Sequence, residues 1–361
     1  MSRPDTADFK SLFLNDTPMM DTRAPLEFKK GAFPHTVSLP LMTDQERAKV
    51  GTCYKKKGQD EAIKLGHQLV SGERKEERIE KWLAFARANP DGYLYCFRGG
   101  LRSEIACSWL QAAGKPIPRV SGGYKALRQH LLNELEFKDL DLVVIAGRTG
   151  TGKTILLHHL ESGIDLEHAA RHRGSAFGSL LTAQPAQIDF ENTIAVALLQ
   201  ARLNQTGTVF MEDEGRLIGR VHLPGPVQAK LQTAPLLLLE ANLEDRVEHI
   251  FQEYILDQWQ EYQSQFKSTA AEHFASYLLT AIDAIKKRLG SKLHNRLRKE
   301  MKHALAQQLK GEFSDHRGWI EALLRHYYDP MYNYQIEKKA HRIVQRGDKQ
   351  ALLQWVQQTS I

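Results

Sequence analysis

Cysteine is scarce in this chain: three among 361 residues, at Cys53, Cys96 and Cys107, with no Cys-x-x-Cys pair. That excludes a disulfide framework and a cysteine-rich zinc site, and each thiol has to be read singly. Long apolar runs are also missing. Runs such as Leu236–Leu239 are far too short to span a bilayer. Residues 1–15 lack the charged start and long apolar stretch of a secretory signal. The expected compartment is therefore the cytoplasm, with no membrane partner, and the expected state is a monomer. Neither sign of charge dominates, since 49 Lys and Arg against 43 Asp and Glu leave a net +6. That modest excess of base favours a polyanionic partner such as nucleic acid.

What is present falls into three zones. Residues 1–135 alternate short apolar segments (17–21, 92–96) with helical spacing (62–70, 74–88). Residues 136–240 repeat the alternation, with strands expected at 141–146, 207–211 and 235–239 and a helix at 154–160. Alternation of this kind predicts an α/β fold with parallel sheets. From 241 to 361 helical patterns take over and strand signals vanish, so this zone is expected to be mostly helical.

The first chemical feature is Cys96-Phe97-Arg98-Gly99-Gly100-Leu101-Arg102-Ser103. An apolar strand delivers the cysteine, two glycines let the backbone curl around its sulfur, and a helix begins near Arg102 or Ser103. Converging amides, a helix N-terminus and the charges of Arg98 and Arg102 all favour a thiolate, and would equally stabilise a persulfide or perselenide. Cys107, one helical turn on, reads as core. Cys53 reads as part of a loop before Lys55-Lys56-Lys57.

The second feature is Gly147-Arg148-Thr149-Gly150-Thr151-Gly152-Lys153-Thr154, between an apolar strand and a helix. This context defines a P-loop: successive N–H groups form an anion nest, Lys153 neutralises phosphate charge, and Thr154 can hold Mg²⁺. Glu212-Asp213-Glu214 follows a later strand, where a Walker-B carboxylate sits; Glu212 and Asp213 are the candidates. Arg171, Arg173 and Ser175, in a glycine-rich stretch, suit a loop that grips phosphates. The basic segment Lys286, Lys287, Arg288, Lys292, Arg296, Arg298, Lys299 and Lys302, with Glu300 its only acid, suits a nucleic-acid backbone.

Two resemblances add to this reading. Asp21-Thr22-Arg23-Ala24-Pro25-Leu26-Glu27-Phe28, then Gly31 and Pro34, resemble the opening of a rhodanese domain, with Cys96 where rhodaneses keep their sulfur-carrying cysteine. The Gly99-Gly100 pair departs from the common sulfurtransferase loop and argues against thiosulfate as donor. The cysteine loop, the P-loop, the stretch 171–178 and Tyr328-Asp329-Pro330-Met331-Tyr332, in this order, resemble the tRNA 2-selenouridine synthase family. Gly215, where that family often has Ser, is one departure.

The resemblance implies a transferase acting on wobble uridine 34 of 2-thiouridine-bearing tRNAs for Lys, Glu and Gln. It implies two co-substrates, geranyl diphosphate and selenophosphate, and no tightly bound cofactor. The 2-thio sulfur is first geranylated, and the S-geranyl group is then replaced by selenium. The residues alone leave an alternative open, an NTP-dependent tRNA sulfurtransferase or kinase with a fused rhodanese relay.

Overall fold

The computed structural model describes residues 3–203 and 207–359. Their contacts fall into two compact units: residues 3–137 with 186–200, and residues 138–185 with 201–359.

In the first unit three short strands, β1 (Met19–Asp21), β2 (Thr36–Ser38) and β3 (Tyr93–Tyr95), form a parallel sheet in the order β2-β1-β3. Parallel sheets need cover. Here Met20 and Leu94 pack with Trp82 and Phe85 of helix Glu73–Ala88 and with Ala106 and Leu110 of helix Leu101–Ala112. The Asp-x-Arg motif at the end of β1 turns out to be a buried brace. Arg23 pairs with Asp21 at 2.6 Å, donates to the carbonyl of Gly31, and lies 3.7 Å from the centroid of the Tyr124 ring. Burial raises the pKa of Asp21 against the pull of Arg23.

Cys53 is not in a loop. It lies within helix Asp44–Lys57, whose start is fixed by a capping box in which Thr43 accepts from the Glu46 amide and Glu46 accepts from that of Thr43. The capped helix runs straight through the lysine run, which closes its last turn.

Helix Gln187–Ala201 is a surprise of chain routing. It lies in sequence between the strands Gly163–Ile164 and Thr208–Glu212 of the second unit, yet residues 186–200 belong to the first unit. Asn192, fully buried, donates to the carbonyl of Ala32, and Asp189 accepts from the Ala32 amide at 2.6 Å. A Cβ on Gly31 would meet Ile188 at 2.4 Å, so the helix seats only against a glycine.

In the second unit five parallel strands stand in the order β10-β9-β4-β6-β5: β4 (Asp141–Gly147), β5 (Gly163–Ile164), β6 (Thr208–Glu212), β9 (Leu236–Leu239) and β10 (Ile343–Gly347). A small antiparallel pair, β7 (Leu217–Ile218) and β8 (Val221–His222), stands apart. β10 corrects the expectation that strands end before residue 241. Its alternating half-buried and exposed residues give a short edge strand with little apolar signal.

The helices after β9 build their own core around Phe274, Leu278, Leu297, Met301, Trp319 and Leu323. His316 is buried in it, with Nε2 facing Gln308 Oε1 at 3.0 Å and Nδ1 accepting from the Trp319 indole at 3.1 Å. Burial pushes its pKa down to about 4. The unfolded chain therefore binds the proton first as pH falls. Stability from this group is full above its unfolded pKa near 6.5 and is lost as pH drops toward 4, by roughly 3 kcal/mol. Urea unfolding should show that slope between pH 7 and 4, and His316→Gln should flatten it.

Candidate active site

The phosphate loop is built as its sequence requires. β4 ends at Gly147, the loop turns through Gly150 and Gly152 with φ of +81° and +82°, and a short helix, Lys153–Leu157, follows. That helix stops three residues earlier than expected, where His158 and His159 enter a turn. A Cβ on Gly150 would come within 2.9 Å of the Arg246 carbonyl. Among the described residues, the N–H groups of Thr149, Gly150, Gly152, Lys153 and Thr154 have no acceptor, so the nest is open.

The brace behind this loop was not visible in the sequence. Arg246, 1% exposed, donates through Nε to the Thr149 carbonyl at 2.8 Å and forms a two-pronged pair with Asp329. That gives Tyr328-Asp329-Pro330 a physical role: Asp329 holds the arginine that holds the loop.

Facing the loop are three carboxylates. Glu212 at the end of β6 accepts from the Thr154 hydroxyl at 2.5 Å, and its Oε2 is buried with no partner among the described residues. Oxygens of Glu167, Glu212 and Glu214 all lie within 4.8 Å of one another. Gly174 closes over them: its Cβ position lies 2.4 Å from Glu167 Oε1 and 3.1 Å from Glu214 Oε1.

Burial and mutual repulsion raise the pKa of Glu167 and Glu214, and burial raises that of Glu212 against the pull of Lys153. Burial works against the Lys153 charge, but Tyr332 and the three carboxylates hold its pKa above the usual value. The donor set is hard oxygen with one free lone-pair face, which fits Mg²⁺. Asp213, a sequence candidate, is instead engaged by Lys339 at 2.6 Å. Successive residues at a strand end point to opposite sides, so Glu212 and Glu214 share a face and Asp213 does not. Glu167, a lone acid on the five-residue helix Leu166–Ala170, gave no sequence signal.

The loop 171–179 is folded on itself. The Arg173 amide donates to Gly178, and the Ser175 hydroxyl accepts from the Phe177 amide. The Arg173 guanidinium lies 5.1 Å from the Tyr254 ring centroid, 3.6 Å from Glu253, and keeps a buried Nη1 with no partner among the described residues. Arg171 sits exposed with φ of +49°. Burial pushes the pKa of His172 down. Thr151 turns its hydroxyl back onto the Arg148 carbonyl.

In the first unit Cys96 follows β3 and is 3% exposed, with Sγ 3.8 Å from the carbonyl of Gly100. The amides of residues 97–102 have no acceptor among the described residues, so donors surround the sulfur-bearing turn. The turn is tied down from Gly122-Gly123-Tyr124-Lys125, a segment the sequence reading passed over. Tyr124 and Lys125 donate to the carbonyls of Cys96 and Phe97 at 2.9 and 3.0 Å. A Cβ on Gly123 would strike the Cys96 carbonyl at 2.3 Å. Gly99 takes φ of +69°, which a side chain would resist. Arg98 lies 5.8 Å from the Phe97 ring centroid, Arg102 pairs with Glu27 at 2.7 Å, and the Ser103 hydroxyl is buried with no partner among the described residues. Burial raises the pKa of Cys107 to about 11, in keeping with its core position.

The basic run lies on helices Lys286–Leu289 and Ser291–Gln308. Lys286, Lys287, Arg288, Lys292, Lys299 and Lys302 are exposed; Arg298 is pinned to Asp283 at 2.9 Å and Arg296 faces Glu300 at 3.6 Å. Of the tyrosines, Tyr328 is buried, while Tyr334 is 58% exposed.

Residues 140–361 match the family model described as tRNA 2-selenouridine synthase AAA domain. A relative named tRNA 2-selenouridine synthase in Marinobacter nauticus is 50% identical over 98% of both chains. The chain belongs to the tRNA 2-selenouridine synthase family. Two further members with that name bracket it similarly. One from Pseudomonas fluorescens is 50% identical over 98% of both chains, and one from Ectopseudomonas mendocina is 52% identical over 99% of this chain and 97% of its own. Membership of this family thus extends over both units, the cysteine turn as well as the phosphate loop. Among the described residues no helix is long and apolar enough to cross a membrane.

Proposed function

We propose that this protein is a tRNA-modifying transferase that converts 2-thiouridine at wobble position 34 of tRNAs for Lys, Glu and Gln to 2-selenouridine. The first unit acts as a rhodanese-like carrier and the second as a prenyl-diphosphate site. The observation that carries the reading is full-length identity of about half to relatives bearing that name, with both chemical loops intact.

In the first step the 2-thio sulfur attacks C1 of geranyl diphosphate. The S–C1 bond forms, the C1–O bond breaks, pyrophosphate leaves, and the base loses its N3 proton. Charge builds on the leaving group. The open amides of Thr149, Gly150, Gly152, Lys153 and Thr154 are aimed at such charge, with Lys153 and Arg173 as fixed cations. Glu167, Glu212, Glu214 and the Thr154 hydroxyl would hold Mg²⁺, which supplies further neutralisation of the diphosphate. In the second step the selenium of selenophosphate, presented by Cys96 among the donors of residues 97–102, attacks C2: the C2–Se bond forms, the C2–S bond breaks and geranylthiol leaves, and water then cleaves the Se–P bond to release phosphate. Alkylation makes the sulfur a better leaving group than the parent thiocarbonyl.

Mass spectrometry of a thiolated anticodon stem-loop, incubated with geranyl diphosphate and then selenophosphate, should show the geranyl adduct and then selenium for sulfur. Unchanged nucleoside masses would overturn the proposal. The exposed lysines and arginine of the basic run carry the tRNA backbone in this reading. Replacing Lys286, Lys287, Arg288 and Lys292 by Ala should weaken tRNA binding and flatten its salt dependence. The expected loss is about 0.7–0.9 in log–log slope for each phosphate contact removed. Filter binding across a salt series checks it.

A further inference from the structure

Beside the phosphate loop, wholly within the second unit, is a narrow apolar cleft. Its mouth is Thr149 of the loop itself and Ser175. Its walls include Ile250, Tyr254, Ile320, Leu323, Leu324 and Tyr328. Two of these walls are built on π-helical turns, Gln252–Asp257 and Leu324–Tyr328, each interrupting a longer helical run. A π-turn widens the helix and displaces its side chains by one position, a departure that costs regular hydrogen bonding and occurs mostly at functional sites. Here two such turns front the same cleft. Open space between the side chains amounts to about 30 Å³, so an occupant has to part them.

The chemistry of the two ends differs sharply. At the mouth the amide nest, Lys153 and the unpartnered Nη1 of Arg173 call for a polyanion, and the Thr149 hydroxyl is buried with no partner among the described residues. The interior is hydrocarbon and aromatic faces. A nucleobase placed there would leave its donors and acceptors unmatched, at a cost of several hydrogen bonds. A flexible hydrocarbon chain would not.

We propose that this cleft receives the ten-carbon prenyl chain of the diphosphate ester whose head the phosphate loop binds. The proposal rests on the prenyl-transfer reading above and names the part of the chain that selects the donor. The same aromatic walls suit the reaction. As C1–O breaks, positive charge spreads over the allylic carbons; Tyr254, Tyr328 and Trp319 line the cleft, and aromatic side chains stabilise such charge.

Calorimetry on the full-length protein with geranyl diphosphate and inorganic pyrophosphate tests this. Each methylene withdrawn from water is worth roughly fourfold in affinity. Wild-type protein should therefore bind the ester at least about tenfold more tightly than pyrophosphate. Ile320→Trp fills the cleft. It should bring the ester to within about threefold of pyrophosphate while leaving pyrophosphate affinity unchanged, which also reports that the loop has folded. Leu323→Ala widens the cleft and should raise the affinity for farnesyl diphosphate relative to geranyl diphosphate. Where Ile320→Trp loses pyrophosphate binding and so has not folded, Leu323→Ala decides alone. Wild-type ratios retained in the folded variants, or a wild-type protein that binds the ester no better than pyrophosphate or binds neither, overturn the proposal. Ratios that shift as expected while thiolated RNA stays unmodified uphold the cleft and overturn the reaction assigned to it.

Discussion

Cys96→Ala protein should carry thiolated RNA to the S-geranyl stage and stop there. Geranylation should stay within about twofold of wild type, while selenium incorporation falls by roughly a hundredfold or more, as for loss of a group that acts on the reacting atoms. The reason is structural. Cys96 belongs to the first unit, on a turn held by Tyr124 and Lys125, whereas the phosphate loop belongs to the second. Alanine keeps the backbone of the turn, because the conformation is set by Gly99 and by the close approach of Gly123. Chromatography of nucleosides after each half-reaction would separate the two steps. Loss of both activities in a folded variant would show that the sulfur takes part in prenyl transfer and that the division of labour is wrong.

Lys153→Ala should do the opposite. Prenyl transfer should fall by about 10²–10³, the usual cost of removing one preorganised charge from a developing anion. Selenation of RNA supplied already geranylated should survive. The variant has a second signature. Lys153 is the cation facing Glu167, Glu212 and Glu214, whose carboxyls are already pushed toward the neutral form. Without it they should take up protons at still higher pH. A pH titration of Mg²⁺ binding should then move to more alkaline values in Lys153→Ala, because the metal has to displace those protons. A variant that keeps wild-type prenyl transfer would remove the phosphate loop from the reaction.

Much of this chemistry was legible because it is local. The P-loop and the cysteine turn are each runs of eight residues whose glycines, cations and flanking strand are contiguous, so the sequence displays nearly the whole device. The alternation of strands and helices likewise announced parallel α/β layers. What could not be read depended on residues far apart. Glu167 joins Glu212 and Glu214 only after the sheet has formed. Arg246 reaches Asp329 across 83 positions, and neither residue is unusual in its own neighbourhood. Asp213 and Glu214 are adjacent acids whose difference in role comes from which side of the strand end each faces. The helix Gln187–Ala201 has an apolar face that any partner could have covered; Gly31 and Asn192 decide which unit it joins. Cys53 misled because its lysine neighbours look like a loop, whereas the cap at Thr43 had already committed the segment to a helix.

The late position of β10 bears on how the protein is made. β9 is a run of four leucines, and one of its two neighbours in the sheet comes from residues 343–347, over a hundred positions downstream. While a ribosome is still threading the intervening helices, that leucine edge has bare amides and carbonyls and nothing to pair with. Such an edge invites pairing with other nascent chains. Maturation of the catalytic unit is thus tied to completion of translation, and shortening the message before β10 should yield insoluble polypeptide rather than a smaller enzyme.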